Sequence, residues 1–453
     1  MTKRKNPKLQ PTAKLAIRGL NLADVEMTMA GLRPFLQRSI WIGTTNYYCK
    51  DVVSRLESSA PTTSARKRHL AQYIAASVTL HANDGWSYLG RAVSCMLAGD
   101  THRALHLAYY AELRAAMSLL ASNGLGVFNN KHFYISAANT TTKFGATNGT
   151  HVMTWLALEE WSRRPTSGVL FSSLVRPEGL SLDDWFQTQG GATALAPQAK
   201  DWFMQWGMDL GLATKDRDAR NESSYRPDGV PTTWELSSRE GLEFVRDMWN
   251  SLEPSPGSSF EQIDRYILRL AVERHHFSVT NRVAGLGDAA FVGLVNSIVE
   301  AQSLAKATED RLKDFLLRRT APTDPDIFRL SAMKPGNPQT DAFAIMARAV
   351  LLLRIATGAA HSLLNRAGFD AALLEFWWQK LGESRGLWAP GDAPDELFDL
   401  WADIEQSLRD VADVEAATPG ILDSFRAIAE ELPGRLGVLA SHERVALWGL
   451  CPS

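Results

Sequence analysis

Little in this chain points to a cofactor or a covalent framework. Only three cysteines occur in 453 residues, Cys49, Cys95 and Cys451, far apart and with no CxxC. An odd, scattered set argues against a disulfide framework or a cysteine-built zinc site and fits a reducing cytoplasm. There is no GxxxxGK[ST] loop, GxGxxG turn, HExxH helix or GxSxG elbow. The common routes to a P-loop, a dinucleotide site, a catalytic zinc and a serine hydrolase are therefore closed. Asn123-Gly124-Leu125-Gly126 comes nearest to a glycine-rich turn, but it follows a helical pattern where the dinucleotide fingerprint follows a strand. His102 and His106 share a helix face, but no carboxylate stands at a matching spacing. No metal and no cofactor are expected.

Charge of one sign is also lacking. The net charge of −2 provides no global attraction to nucleic acid or to an anionic membrane, so any such binding must be local. Long apolar runs are scarce. The longest, 342–360, is interrupted by Arg348 and Arg354 and reads as a core helix. The first residues, MTKRKNPKLQPTAK, are basic and lack the apolar run of a secretory signal. A cytoplasmic protein that does not enter a membrane is expected.

What is present is helical periodicity. Apolar residues recur at three- and four-residue spacing over most of the chain, and strand-like alternation is rare. The expected fold is mainly α, a multi-helical bundle with a small irregular or short-strand insertion near 123–150. Helices are expected over 64–81, 86–97 and 102–122, the last stopped by Asn123-Gly124, with Thr150 capping the next over 151–161. Others are expected at about 260–277, 284–304, 308–318, 341–365, 368–382, 394–412, 420–431 and 441–449. Within 123–150, Val127-Phe128 and 132–136 have the character of short strands. The division read from composition is a flexible basic tail (1–20), an N-terminal helical region (21–165), a middle segment with a polar loop at 214–235 (166–255) and a C-terminal bundle (256–453). Residues 320–340, rich in proline, read as loop. The fourteen tryptophans fall in helical patterns without interleaved Lys or Arg, as core residues do.

Histidine is the usual acid–base group near neutral pH. On the expected helices, two histidines follow an arginine by seven residues, almost two α-helical turns, so each pair projects from one helix face: Arg269 with His276, and Arg354 with His361. An imidazole that moves a proton beside a guanidinium that holds a phosphate is the chemistry of metal-free RNA cleavage. Arg354-Ile-Ala-Thr-Gly-Ala-Ala-His361 resembles the Arg-x(4–6)-His signature of HEPN-type helical domains. The segment Tyr109-Tyr110-Ala-Glu-Leu-Arg-Ala-Ala-Met-Ser-Leu-Leu120 looks like the paired-tyrosine helix of HEPN-like and YaaC-like proteins. The resemblance covers about twenty residues in each place. It implies a prokaryotic antiviral defence or toxin effector that cleaves RNA without metal, with Arg354, His361, Arg269 and His276 as catalytic residues.

A second candidate site is the irregular stretch 123–150, since loops held between rigid helices often carry function. Asn130, His132 and His151, with Tyr110 and Arg114 from the preceding helix, are its candidate binding residues. A non-enzymatic helical scaffold or partner-binding subunit is the alternative function. The expected partners are another protein or a second copy of the chain, with RNA as the nucleic-acid candidate.

Overall fold

In a computed structural model, the structure describes residues 8–203, 237–332 and 338–451, the side chains of 338–341 excepted. The polar loop expected at 214–235 and Trp206 lie outside the described residues. The fold is mainly helical with one small antiparallel sheet.

Three long helices form the centre: Ser64–Leu97, Thr101–Ser122 and Pro338–Arg366. The helices expected over 64–81 and 86–97 are one continuous element, because Asn83, Asp84 and Gly85 stay helical where the helix meets its neighbours. Thr63 caps its start by accepting the Arg66 N–H. The second helix presents Ala104, Ala108, Ala111 and Ala115, all fully buried, and so lets the others approach closely. At Gly90 an added Cβ would stand 2.4 Å from the Ala440 carbonyl oxygen, so the backbones meet there with no room for a side chain.

The Pro338–Arg366 helix is the most enclosed. By length and composition it is apolar enough to cross a membrane, but 94% of that window is buried within the protein. Its two interior arginines are both neutralised. Arg348 meets Glu112 at 3.2 Å with both side chains fully buried, and Arg354 meets Asp264. Helices of the C-terminal half pack on those of the N-terminal half, and Trp86 Nε1 donates to Thr357 Oγ1 at 2.9 Å across that contact.

Several expectations are corrected. Residues 11–18 are not tail but a helix, Pro11–Arg18, which buries Ala13 and Ile17 and pairs Arg18 and Lys14 with Glu160. The sheet runs β1 (Leu125–Gly126), β2 (Phe133–Ala137) and β3 (Thr140–Lys143) in that order; Val127-Phe128 is not a strand. Thr150 is the first residue of the helix Thr150–Ser162, with Gly149 at the cap. The stretch read as loop over 320–340 contains the helix Asp326–Ser331, and Pro338 already opens the core helix. Proline is well tolerated in a first turn, where its missing N–H has no partner to lose.

The tight contact at Gly90 reverses the usual effect of a glycine in a helix. Gly90→Ala is expected to destabilise the protein by about 1–3 kcal/mol through overpacking. Gly293→Ala, on an exposed helix face with nothing within 4 Å, is expected to stabilise it by up to about 1 kcal/mol through helix propensity. Urea unfolding of the two variants checks this; equal signs would show that the backbones do not meet at Gly90.

Candidate functional site

Along the last turns of the Pro338–Arg366 helix, positions 354, 358, 361, 362 and 365 recur at helical spacing and face one side. They form one wall of a cavity of about 930 Å³, at the upper end of the range of small-molecule sites. The end of the Pro165–Leu174 helix with Arg176, the link 256–260, Trp378 and the C-terminal residues Trp448 to Cys451 close the other sides. The cavity therefore mixes cationic, amide, hydroxyl and aromatic groups.

The pair Arg354 and His361 does share this cavity, but the guanidinium is already engaged. Arg354 Nε and Nη2 donate to the two oxygens of Asp264 at 2.8 and 2.6 Å, and Nη2 also donates to the Leu174 carbonyl at 2.7 Å. The guanidinium carbon lies 4.4 Å from the centre of the Phe260 ring. Asp264 is fully buried and accepts the Arg176 N–H at 2.7 Å as well. Burial pushes its carboxyl up, against the pull of Arg354 and of that N–H. Gly358 has a direct reason: a Cβ there would lie 2.7 Å from Arg354 Nη1. The glycine costs about 1 kcal/mol of helix propensity relative to Ala, and in return the guanidinium fits against the helix. Nη1 has no hydrogen-bond partner among the described residues, and neither has Nε1 of Trp448.

His361 is half-buried. Its Nε2 lies 2.9 Å from Asn365 Nδ2, which donates to it in this orientation, while Nδ1 is buried without a hydrogen-bond partner among the described residues. Burial lowers its pKa from the ordinary histidine value, the charge of Arg354 lowers it further, and the Leu450 carbonyl acts the other way. A neutral imidazole of this kind can accept a proton near neutral pH.

The second arginine–histidine pair is not brought to one site. Arg269 is fully buried between the rings of Tyr266 and Phe315 and is held by Asp324 and by the carbonyls of Ala321 and Thr323. His276 faces Asp288 at 3.3 Å and Thr280. The two side chains thus secure different loops, 317–325 and 281–288, although helical spacing places them on one face.

The candidates of the 123–150 region separate likewise. His132 is fully buried: its Nδ1 accepts the Phe128 N–H at 3.2 Å and its Nε2 donates to the Asn148 carbonyl at 2.8 Å. It closes the insertion on itself and is no ligand contact. Asn130 is exposed beside Gly149. Tyr110 and His151 do meet, with ring centres 5.9 Å apart, in a cluster with Tyr109, whose hydroxyl lies 3.1 Å from His151 Nδ1. Arg114, on the same helix face as Tyr110, meets the Ser64–Leu97 helix, 2.8 Å from His81 Nδ1. No group of three or more His, Cys, Asp or Glu side chains among the described residues could hold a metal.

Sequence reasoning missed Asp264, Arg176 and Arg366. Asn365 continues the helical stripe of Arg354 and His361 and was within reach of periodicity, whereas Arg366 springs from about 120° round the helix and still reaches the cavity. Asp264 and Arg176 come from elements far along the chain, and no spacing points to them.

Two outcomes are expected. Asp264→Asn should cost about 3–5 kcal/mol in urea unfolding, since it leaves a buried guanidinium uncompensated; a loss below about 1 kcal/mol would show that the pair is dispensable. His132, lowered to about 4 by burial, favours its neutral form in the folded protein. Its contribution is present above the ordinary histidine pKa and is lost as pH falls toward 4. Asp247, raised to about 6 by burial, acts in the opposite sense, so the comparison must be between variants. Between pH 7 and 5 the unfolding free energy of His132→Gln should fall by about 2 kcal/mol less than that of the wild type. Parallel curves would mean that His132 takes up its proton without unfolding the insertion.

No family model, curated protein or solved structure matches this chain.

Proposed function

We propose that the protein is a HEPN-like effector of a prokaryotic antiviral defence or toxin system, cleaving RNA without metal at the His361 cavity. The observation that carries this reading is a half-buried histidine on the wall of a cavity that Arg176, Arg354 and Arg366 also line. In the proposed step His361 Nε2 takes the proton of an RNA 2′-hydroxyl, which displaces the exposed amide of Asn365. The freed oxygen attacks phosphorus and the bond to the 5′-oxygen breaks. A 2′,3′-cyclic phosphate and a 5′-hydroxyl result, the leaving oxygen receiving its proton from the imidazolium or from water. Arg354, bound to Asp264, keeps the helix and His361 in place.

The purified chain is expected to cleave single-stranded RNA in EDTA, and His361→Ala to lose at least about 100-fold in rate, the usual share of a general base. Because the neutral imidazole is the base, kcat/KM should hold from pH 7 to 8 and fall as pH drops through the lowered pKa of His361. Cleavage that needs a divalent cation, or that survives His361→Ala, would overturn the reading.

One surface favours the alternative, a helical subunit that binds a partner or a second copy of itself. Phe277, Val279, Val283 and Leu286 are 51%, 70%, 83% and 55% exposed, at the end of the Glu261–Thr280 helix and in the turn after it. Large apolar side chains stand open to solvent here, as on surfaces that a partner covers. On this reading the chain self-associates in sedimentation velocity and Val283→Asp renders it monomeric. A wild-type chain that stays monomeric at high concentration removes the homo-oligomer form of the alternative.

A further inference from the structure

The cavity contains more cationic charge than Arg354 can contribute. Arg354 has its Nε and Nη2 on a buried carboxylate, and its charge is compensated by that same group. Two other arginines on the cavity wall differ. Arg176 is exposed and uses one nitrogen, Nη2, on the Gly179 carbonyl at 2.8 Å. Arg366 has a side chain 39% exposed, and its nearest carboxylate, on Glu26, is 3.7 Å away, beyond hydrogen-bond length. Both retain most of a planar fork of N–H donors, the geometry that suits phosphate oxygens.

Their placement is ordered. Arg176 stands two residues beyond Leu174, whose carbonyl takes Arg354, and its own N–H binds the same Asp264. It therefore belongs to the Arg354 end of the stripe. Arg366 lies twelve residues further along the Pro338–Arg366 helix, a rise of about 18 Å, and His361 lies between. Two arginines so far apart do not clamp one phosphate, but they can each hold one on either side of a central histidine. Asp395 and Glu396 line the cavity from the segment before the Leu400–Ala417 helix. They repel phosphate from that wall and leave the arginine stripe as the favourable track.

We infer that Arg176 and Arg366 hold separate phosphates of one single-stranded RNA, flanking the linkage presented to His361, while Arg354 is a positioning residue. The inference rests on the cleavage reading above and names the form of its substrate: a strand of several nucleotides, not a mononucleotide.

The test uses the full chain and a fluorescein-labelled 2′-O-methyl hexauridylate, which binds but has no 2′-hydroxyl to react. Binding is followed by anisotropy over a range of salt. Arg176→Ala and Arg366→Ala should each weaken binding roughly ten-fold and each lower the slope of log K against log salt by about 0.7. Arg176→Lys and Arg366→Lys should restore most of the affinity. Arg103→Ala, an exposed arginine outside the cavity lining, should bind like the wild type. Uridine monophosphate should compete at least about ten-fold less well than an unlabelled 2′-O-methyl hexauridylate, since it engages one arginine and not two. If the wild type binds and cleaves while the arginine variants bind equally well, the arginine assignment falls and the cleavage reading stands. If the arginines govern binding but unmodified RNA is left intact, the cleavage reading falls and the strand site stands. If the wild type does not bind the hexauridylate, both fall.

Discussion

The Arg354–Asp264 ion pair is the constraint on which the site region depends. It joins the Pro338–Arg366 helix to the Glu261–Thr280 helix, and through the Leu174 carbonyl and the Arg176 N–H it also fixes the chain that leaves the Pro165–Leu174 helix. Both charges are withdrawn from water, so neither is tolerable without the other. The pair dictates Gly358, because any Cβ there collides with the guanidinium. It also decides which arginines remain for a ligand. A guanidinium bound to a buried carboxylate sets the shape of the cavity, whereas those at its edges are available to bind.

The same solution appears once more on that helix, where Arg348 meets Glu112 in the interior. The buried stretch of that helix thus has two charges, each answered by a carboxylate from a helix distant in sequence. Hydrophobic burial alone would let such a helix slide or rotate against Ala-rich neighbours at little cost. Buried pairs allow one register only, since a shift leaves two unpaired charges in a low-dielectric interior. Trp86 with Thr357, and Ser87 with Glu443 at 2.8 Å, add directional bonds at the same junction.

The arginine–histidine pairs show how far spacing can be taken. Both pairs have the same seven-residue separation, and both lie on single helices as periodicity requires. Yet Arg269 and His276 secure two separate loops, while Arg354 and His361 line one cavity. The difference lies in what packs opposite: the 317–325 and 281–288 loops in one case, the link 256–260 and the C-terminal residues in the other. His132 makes the same point for the insertion. Its neighbours Asn129 and Asn130 look like the rim of a ligand site, but the ring turns inward because it alone can satisfy both the Phe128 N–H and the Asn148 carbonyl.

By itself, the sequence determined the helical class, the small strand-bearing insertion, the core character of residues 342–360 and the approximate extent of most helices in the C-terminal half. These follow from local periodicity, capping and turn chemistry, which act over a few residues. It also placed His361 and Arg354 on one helix face. Tertiary structure alone decided that residues 64–97 form one helix, that Pro11–Arg18 is docked and not free, and that Arg354 is compensated by Asp264. It alone brought Arg176 to the cavity that Arg366 and His361 share. These outcomes depend on contacts between segments tens to hundreds of residues apart, where burial and charge compensation are settled by which surfaces meet.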